Sequence, residues 1–175
     1  MCGLIRGVTD MPTIVLSICV AAYDRAEPLA ALLEHLLFTN DLTFSAEIVV
    51  SHEASSDEIA AVLESYRSSL PLRTVCQREN IDVAANSFAA LRESKGRYAL
   101  SLADDGRIDP AALERVIEYL CAHPDVVMLN VPTLLWDEAE GAALPPAYAL
   151  DEPMAFGAAQ GLDCFNFLVD RTILP

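Results

Sequence analysis

The chain has 175 residues, 53% of them hydrophobic, which is enough to bury a real core and excludes a disordered polymer. Its 26 acidic residues outweigh 11 basic ones, giving a formal charge of -15. A field of that sign argues against nucleic acid or an anionic membrane as partner. It also requires any phosphate-bearing ligand to bring a cation or to meet a local basic group.

Residues 1–12 read as a loose extension, without a secretory pattern. Residues 13–20 form an apolar run expected to be a strand buried on both faces. A helix is expected from about Glu27, with Pro28 in its first turn and Leu29, Leu32, Leu33, Leu36 and Leu37 on one face. Residues 47–51 give a second strand. Ser55 and Glu58 then form a capping box for a helix that turns Ile59, Val62, Leu63 and Tyr66 inward. Residues 72–76 give a third strand. Asp82 is placed to cap a helix that carries Ala84, Phe88 and Leu91 inward and stops at Gly96.

The apolar run 98–103 is a fourth strand, read as buried, and it closes on Asp104-Asp105-Gly106. Two adjacent carboxylates at the tip of a buried strand are costly unless something pairs with them. A hard divalent cation, a sugar hydroxyl or a basic side chain would do so; an ordinary acidic turn before the next helix is the plainer alternative. That helix begins at Asp109-Pro110 and turns Leu113, Val116, Ile117 and Leu120 inward, and residues 126–131 give a further strand. Beyond Trp136 the pattern weakens: 141–146 reads as loop and 165–169 as a last strand, and the chain stops at Pro175 without a closing helix, which suggests a truncated domain.

Strands alternating with helices predict an α/β fold, a mostly parallel sheet with helices on both faces. No apolar run reaches the ~18 residues of a membrane span. Five cysteines, odd in number and without a CxxC, fit a reducing, cytoplasmic setting. There is no GxGxxG after the first strand, no GxxxxGK[ST], no GxSxG, and no zinc spacing among His35, His52 and His123.

In an open parallel sheet, ligands sit beyond the carboxyl ends of the strands. Three turns here meet at that rim: Ala21-Ala22-Tyr23-Asp24-Arg25, His52-Glu53-Ala54-Ser55 and Asp104-Asp105. Each residue also has an ordinary role to weigh. Asp24 reads first as a helix cap and His52 as a surface turn residue. Asn80 and Asn86 read as turn and helix-surface residues. Arg25 is either solvated or a partial offset to the acidic rim. Tyr23 at a strand tip is a good stacking surface for a base.

Five segments in order then resemble family 2 of the nucleotide-diphosphosugar glycosyltransferases, which have the Rossmann-like GT-A fold. They are Ala21 to Arg25 against Pro-Thr-Tyr-Asn-Arg, and 47–57, EIVVSHEASSD, against EIIVVDDGSTD. The segment 80–86 stands for an Asn-Xaa-Gly turn and helix. Gly96-Arg97-Tyr98 leads to Ala103-Asp104-Asp105 for a DxD-type motif, and 109–114, DPAALE, closes the series.

The resemblance implies inverting transfer of a sugar from a nucleotide-diphosphate donor to an acceptor hydroxyl on a glycan, lipid or protein, assisted by Mn or Mg. It implies one domain over 13–175, with a nucleotide-sugar-binding half over 13–131 and an incomplete acceptor half over 132–175. By position Asp105 is the metal ligand, Asp104 contacts the ribose or supports the metal, and Ala22, Tyr23, Asp24, His52 and Glu53 surround the base. The catalytic residue is unknown: neither Asp163 nor Asp170 is a defensible base. His52, Glu53, Asp82, Ala103 and Gly106 depart from the family's pattern. The departures keep open an alternative, a non-catalytic or degenerate binding or assembly module whose apolar tail, 165–174, packs on a second copy as a homodimer.

Overall fold

The computed structural model describes residues 14–53, 57–129, 136–137, 142–143 and 155–157, with Glu53, Asp57, 136–137, Ala143 and 155–157 by their backbone alone. The extension 1–12, Ser55 of the capping box, the strand expected at 165–169 and the apolar tail lie outside the described residues. The chain divides into two compact units, Met1–Arg115 and Val116–Pro175.

The first unit is built on β1 (Leu16–Ala22), whose residues are buried almost throughout. β1 runs parallel to β2 (Ala46–Glu53) on one side and to β4 (Tyr98–Ala103) on the other, and β2 runs parallel to β3 (Leu72–Gln77). The order is therefore β3-β2-β1-β4. Ala22 lies opposite His52 and Ala21 opposite Ala103, so the three strand tips end level on one rim. Three helices complete the crossovers: α1 (Ala26–His35), continued by a 3₁₀ turn (Leu36–Asp41), α2 (Asp57–Tyr66) and α3 (Val83–Glu93).

Strand side chains alternate between two faces. Cys19 and Val49 meet Ala90 of α3, with Val75 and Leu91 around them. Ile18, Val20, Ile48 and Val50 point to the other face and are fully buried, as are Leu29, Leu32, Leu33 and Leu36. α1 and α2 pack on one another there, as right-handed crossovers running outward from β1 require. Each such aliphatic side chain contributes about 1.5–3 kcal/mol relative to exposure.

The end of the sheet away from the rim is held by a buried carboxylate. Glu47 accepts from the Ser17 hydroxyl and the Lys95 amide, both at 2.7 Å, and from Arg73 at 3.3 Å. Arg73 also donates to the Glu93 carbonyl, and the Gly96 amide donates to the Ser17 hydroxyl. Burial alone would raise the Glu47 carboxyl, but these donors together hold it below the usual carboxylate value. Burial, and after it the charge of Glu47, pushes the Cys19 thiol up to about 11.

The first unit corrects several expectations about its elements. β1 starts at Leu16, three residues later than the apolar run. β4 is the last strand of the described sheet and alternates half-buried with exposed, so it is not buried on both faces. α3 turns Asn86, Ala89 and Ala90 inward, while Ala84 is exposed and Phe88 is 70% exposed. Close packing of α3 over β1 and β2 selects small residues, and counting large apolar side chains misses such a face. α3 ends at Glu93, and Gly96 serves a close approach instead: a Cβ there would stand 2.6 Å from the Ser17 amide nitrogen. Asp24 does not cap α1, whose N-cap is Arg25 without a side-chain hydrogen bond.

α4 (Pro110–Ala122) crosses the boundary between the units; Asp109 caps it by accepting from the Ala112 amide at 2.7 Å. In the second unit β5 (Val126–Leu129) pairs antiparallel with β8 (Ala155–Gly157), so it does not extend a parallel ladder. β6 (Trp136–Asp137) pairs antiparallel with β7 (Ala142–Ala143), which lies inside the stretch 141–146 expected to be loop. Among the described residues no helix is long and apolar enough to cross a membrane.

Candidate functional site

The chain moves outward from β1 through β2 to β3, then crosses back to β4. The direction of travel reverses between β1 and β4, and such a switch point opens a crevice at the carboxyl ends of the strands. A cleft of about 550 Å³ lies there, within the ~300–1,000 Å³ usual for ligand sites. β1 and its turn contribute Ala21, Tyr23 and Arg25, and β4 with the turn after it contributes Ser101 to Asp104. The loop and first turns of α3 contribute Asn80, Val83, Asn86 and Ser87.

The acidic pair is held by one guanidinium. Arg25 Nη1 donates to Asp104 Oδ1 at 2.8 Å, and Arg25 Nη2 donates to Asp105 Oδ2, also at 2.8 Å. The Asp104 side chain is 8% exposed and that of Asp105 is 56% exposed. Burial lifts the Asp104 carboxyl above its ordinary value; Arg25 opposes this and the neighbouring Asp105 charge adds to it. Asp105, mostly in water, is held below its ordinary value by its hydrogen bond to Arg25. The same contacts raise the Arg25 guanidinium, Asp105 first and then Asp104.

The α3 side of the cleft carries two further features. Asn86 is 1% exposed; its amide donates to the Ala22 carbonyl at 3.2 Å. Its Oδ1 has no partner, alone among the buried side-chain polar atoms of the described residues. Four residues earlier Asp82 has φ 72 and ψ 151, a backbone region reached comfortably by glycine alone. Three hydrogen bonds pin it there: Asp82 N to Asn80 Oδ1, Ala84 N to Asp82 Oδ1, and Asn86 N to the Asp82 carbonyl.

Of the residues singled out in the sequence, Tyr23 and Asp104 line the cleft, with Tyr23 50% exposed. Asp105 stands beside it through Arg25. Ala22 is fully buried and meets Asn86 through its carbonyl, so its side chain faces no ligand. His52 is buried beside Ala22 in the register rather than a surface turn residue. Asp24 is exposed, in the left-handed region at φ 47. β2 ends at Glu53, whose side chain lies outside the described residues.

Sequence reasoning weighed Arg25 and Asn86 and assigned neither to the site. The signal for Arg25 was its place in the turn after β1, on the same rim as the acidic pair. The signal for Asn86 was its spacing of four from Asp82, which puts it one helical turn inside α3.

Asp104 and Asp105 fit a hard divalent cation in chemistry, since both offer carboxylate oxygens at the edge of a ligand-sized cleft. Among the described residues no three His, Cys, Asp or Glu side chains converge into a complete cage. A site with one or two carboxylates, finished by substrate phosphates and water, is the arrangement Mg²⁺ commonly takes.

A parallel α/β unit with an acidic pair at its switch point defines a Rossmann-like domain of the GT-A kind. The chain belongs to glycosyl transferase family 2, whose sequence pattern matches residues 17–174. It is 30% identical over 108 residues to an uncharacterized protein of Mycobacterium tuberculosis (strain ATCC 25618 / H37Rv), covering 59% of this chain and 31% of that protein. It is 29% identical over 118 residues to an uncharacterized glycosyltransferase of Haemophilus influenzae, covering 67% of this chain and 38% of that one. The chain thus spans about a third of the length of these relatives. Among solved structures, S. aureus TarS (residues 1–349) in complex with UDP-GlcNAc matches with a TM-score of 0.56 and 23% identity, over 71% of this chain and 39% of that one. The mannosyltransferase PcManGT of Pyrobaculum calidifontis, in complex with GDP-Man and Mn²⁺, matches with a TM-score of 0.53 and 24% identity, over 68% and 36%. Both likenesses establish the fold.

Proposed function

We propose that this chain is the donor-binding part of an inverting glycosyltransferase. It would move a sugar from a nucleoside-diphosphate donor to an acceptor hydroxyl with the help of Mn²⁺ or Mg²⁺. The observation that carries the reading is the Asp104–Asp105 pair at the mouth of a ligand-sized cleft on the β1/β4 switch point. Family membership and the donor complexes of TarS and PcManGT support it. Residues 13–131 would bind the donor and 132–175 would begin the acceptor side. The odd, CxxC-free set of five cysteines, with Cys19 and Cys76 as free thiols, is the support for a cytoplasmic setting.

The residues then take the following roles. The half-exposed Tyr23 ring stacks on the base, with the Ala22 backbone, Asp24, His52 and Glu53 around it. Asp104, buried and fixed by Arg25, holds the ribose or steadies the cation, and Asp105 is the cation's ligand. A divalent cation held by Asp105, with Asp104 in support, would supply positive charge against the charge that develops on the leaving diphosphate. The acceptor oxygen attacks the anomeric carbon in line, the bond from that carbon to the diphosphate oxygen breaks, and a carboxylate takes the acceptor proton. No described residue is assigned as that base.

The test is calorimetric titration of the protein with UDP and GDP, each with and without Mn²⁺, repeated on Asp105→Ala. Mn²⁺-dependent binding that Asp105→Ala loses is the expected result. Equal affinity in both proteins, with and without Mn²⁺, would refute the assignment. Absence of binding altogether would favour a degenerate module, the reading to which the strained aspartate at position 82 points.

A further inference from the structure

The acidic pair already has a cation. The Arg25 guanidinium forks across both carboxylates, taking Asp104 Oδ1 and Asp105 Oδ2 at 2.8 Å each. A divalent ion would draw on the same two carboxylates, since Mg²⁺ needs carboxylate oxygens at about 2.0–2.1 Å in near-octahedral order. Each carboxylate keeps a second oxygen, but a dication on either would stand within a few ångströms of the guanidinium, and the two charges repel at that separation. The ion pair to Asp105 is solvent-exposed and therefore weak, while the one to the buried Asp104 is the anchor. Asn86, which lines the same cleft, leaves its buried Oδ1 without a partner.

We infer that Arg25 is a built-in competitor of the metal, which couples cation binding to donor binding. Alone, the divalent ion must displace the guanidinium from Asp105. When a nucleoside diphosphate enters, the phosphates give Arg25 a new partner, for which an arginine fork is well shaped. The carboxylate is then released to the cation. Cation and nucleotide each bind more tightly in the presence of the other, and the thermodynamic coupling is reciprocal. The overall charge of -15 gives the arrangement a purpose. The paired aspartates do not hold a stray cation, and the donor does not approach a bare acidic rim.

The inference rests on the donor-site reading above. Its test is Mn²⁺ binding followed by calorimetry and by the electron paramagnetic resonance of free Mn²⁺, on wild type and Arg25→Gln, first without and then with GDP or UDP. Arg25→Gln should bind Mn²⁺ alone on the order of tenfold more tightly, and the factor by which nucleotide improves Mn²⁺ affinity should shrink by a similar amount. Unchanged or weaker Mn²⁺ affinity in Arg25→Gln, beside nucleotide binding that still requires Mn²⁺, overturns the competitor role and leaves the donor site standing. Failure of both proteins to bind Mn²⁺, with and without nucleotide, removes the metal site and both readings together. If Arg25→Gln does not fold by circular dichroism, Arg25→Lys decides. Lysine is a point charge that cannot fork across both carboxylates, so Mn²⁺ affinity should rise part of the way; an unchanged value refutes the inference.

Discussion

Replacing Asp82 with glycine should make the protein more stable, although it removes a helix cap. The residue sits at φ 72, ψ 151, a conformation that costs a residue with a Cβ about 1–3 kcal/mol. Glycine carries no such penalty, but its unfolded chain is freer, which returns about 0.5–1 kcal/mol of the gain. Losing the Asp82 carboxylate's bond to the Ala84 amide costs only a few tenths when the replacement at an N-cap is glycine. The net expectation is stabilisation by about 1 kcal/mol, or a rise in Tm of about 2–4 °C for a chain of this size. Asp82→Ala is the control: it keeps the strain and loses the cap, so it should lose about 1 kcal/mol. Urea and thermal melts of the three proteins separate the terms. A lower Tm for Asp82→Gly than for wild type would refute the strain argument, and equal losses in both variants would show that the cap alone matters.

Gly96→Ala should destabilise by about 1–3 kcal/mol or more in urea melts, the cost of overpacking, because the new methyl would lie 2.6 Å from the Ser17 nitrogen and 2.8 Å from the Leu16 carbonyl carbon. Both are backbone atoms that cannot swing aside, and a neutral result would mean that the turn at Gly96 approaches β1 less closely. Glu47→Gln tests the acid limb of stability. The folded Glu47 carboxyl lies below its ordinary value, so its contribution is fully present above that value and disappears as pH falls through the folded pKa. The variant should lose about 1–3 kcal/mol near pH 7 and show a flatter decline in Tm from pH 5 to 3 than wild type. Asp104, raised by burial, works in the opposite sense over the same range and is unchanged by the substitution.

The parallel order of the first unit was legible because β1 and β2 are continuous apolar runs and the turns between elements carry ordinary cap signals. Asp82 capping α3 and Asp109-Pro110 opening α4 are both present as read. The inward face of α3 was not legible. Ala89 and Ala90 are small and Asn86 is polar, while the large apolar Phe88 stands in water. The antiparallel pairing of β5 with β8 was hidden for another reason, since a four-residue run fits either ladder. At the rim, the acidic pair was visible because two carboxylates after an apolar strand break the local pattern. Its partner was not, because Arg25 meets Asp104 across 79 residues of sequence, and only the β1/β4 pairing brings them together.

The two ends of this sheet obey different rules. At the amino end of β1 and β2 the buried carboxylate of Glu47 has a hydroxyl, an amide and a guanidinium as donors, so a costly group is fully satisfied and the strands are locked in register. At the carboxyl end the same short chain tolerates a residue in a glycine conformation, a buried amide oxygen without a partner and two adjacent aspartates under one arginine. Each of these lowers stability, and Asp82 is pinned by three hydrogen bonds that could have served a relaxed turn as well. Violations of local rules persist where the surrounding structure over-determines them, and they gather where a ligand completes the set. Their concentration at the β1/β4 switch point, beside the full satisfaction of the opposite end, supports the proposed donor site on this rim by a physical argument independent of any relative.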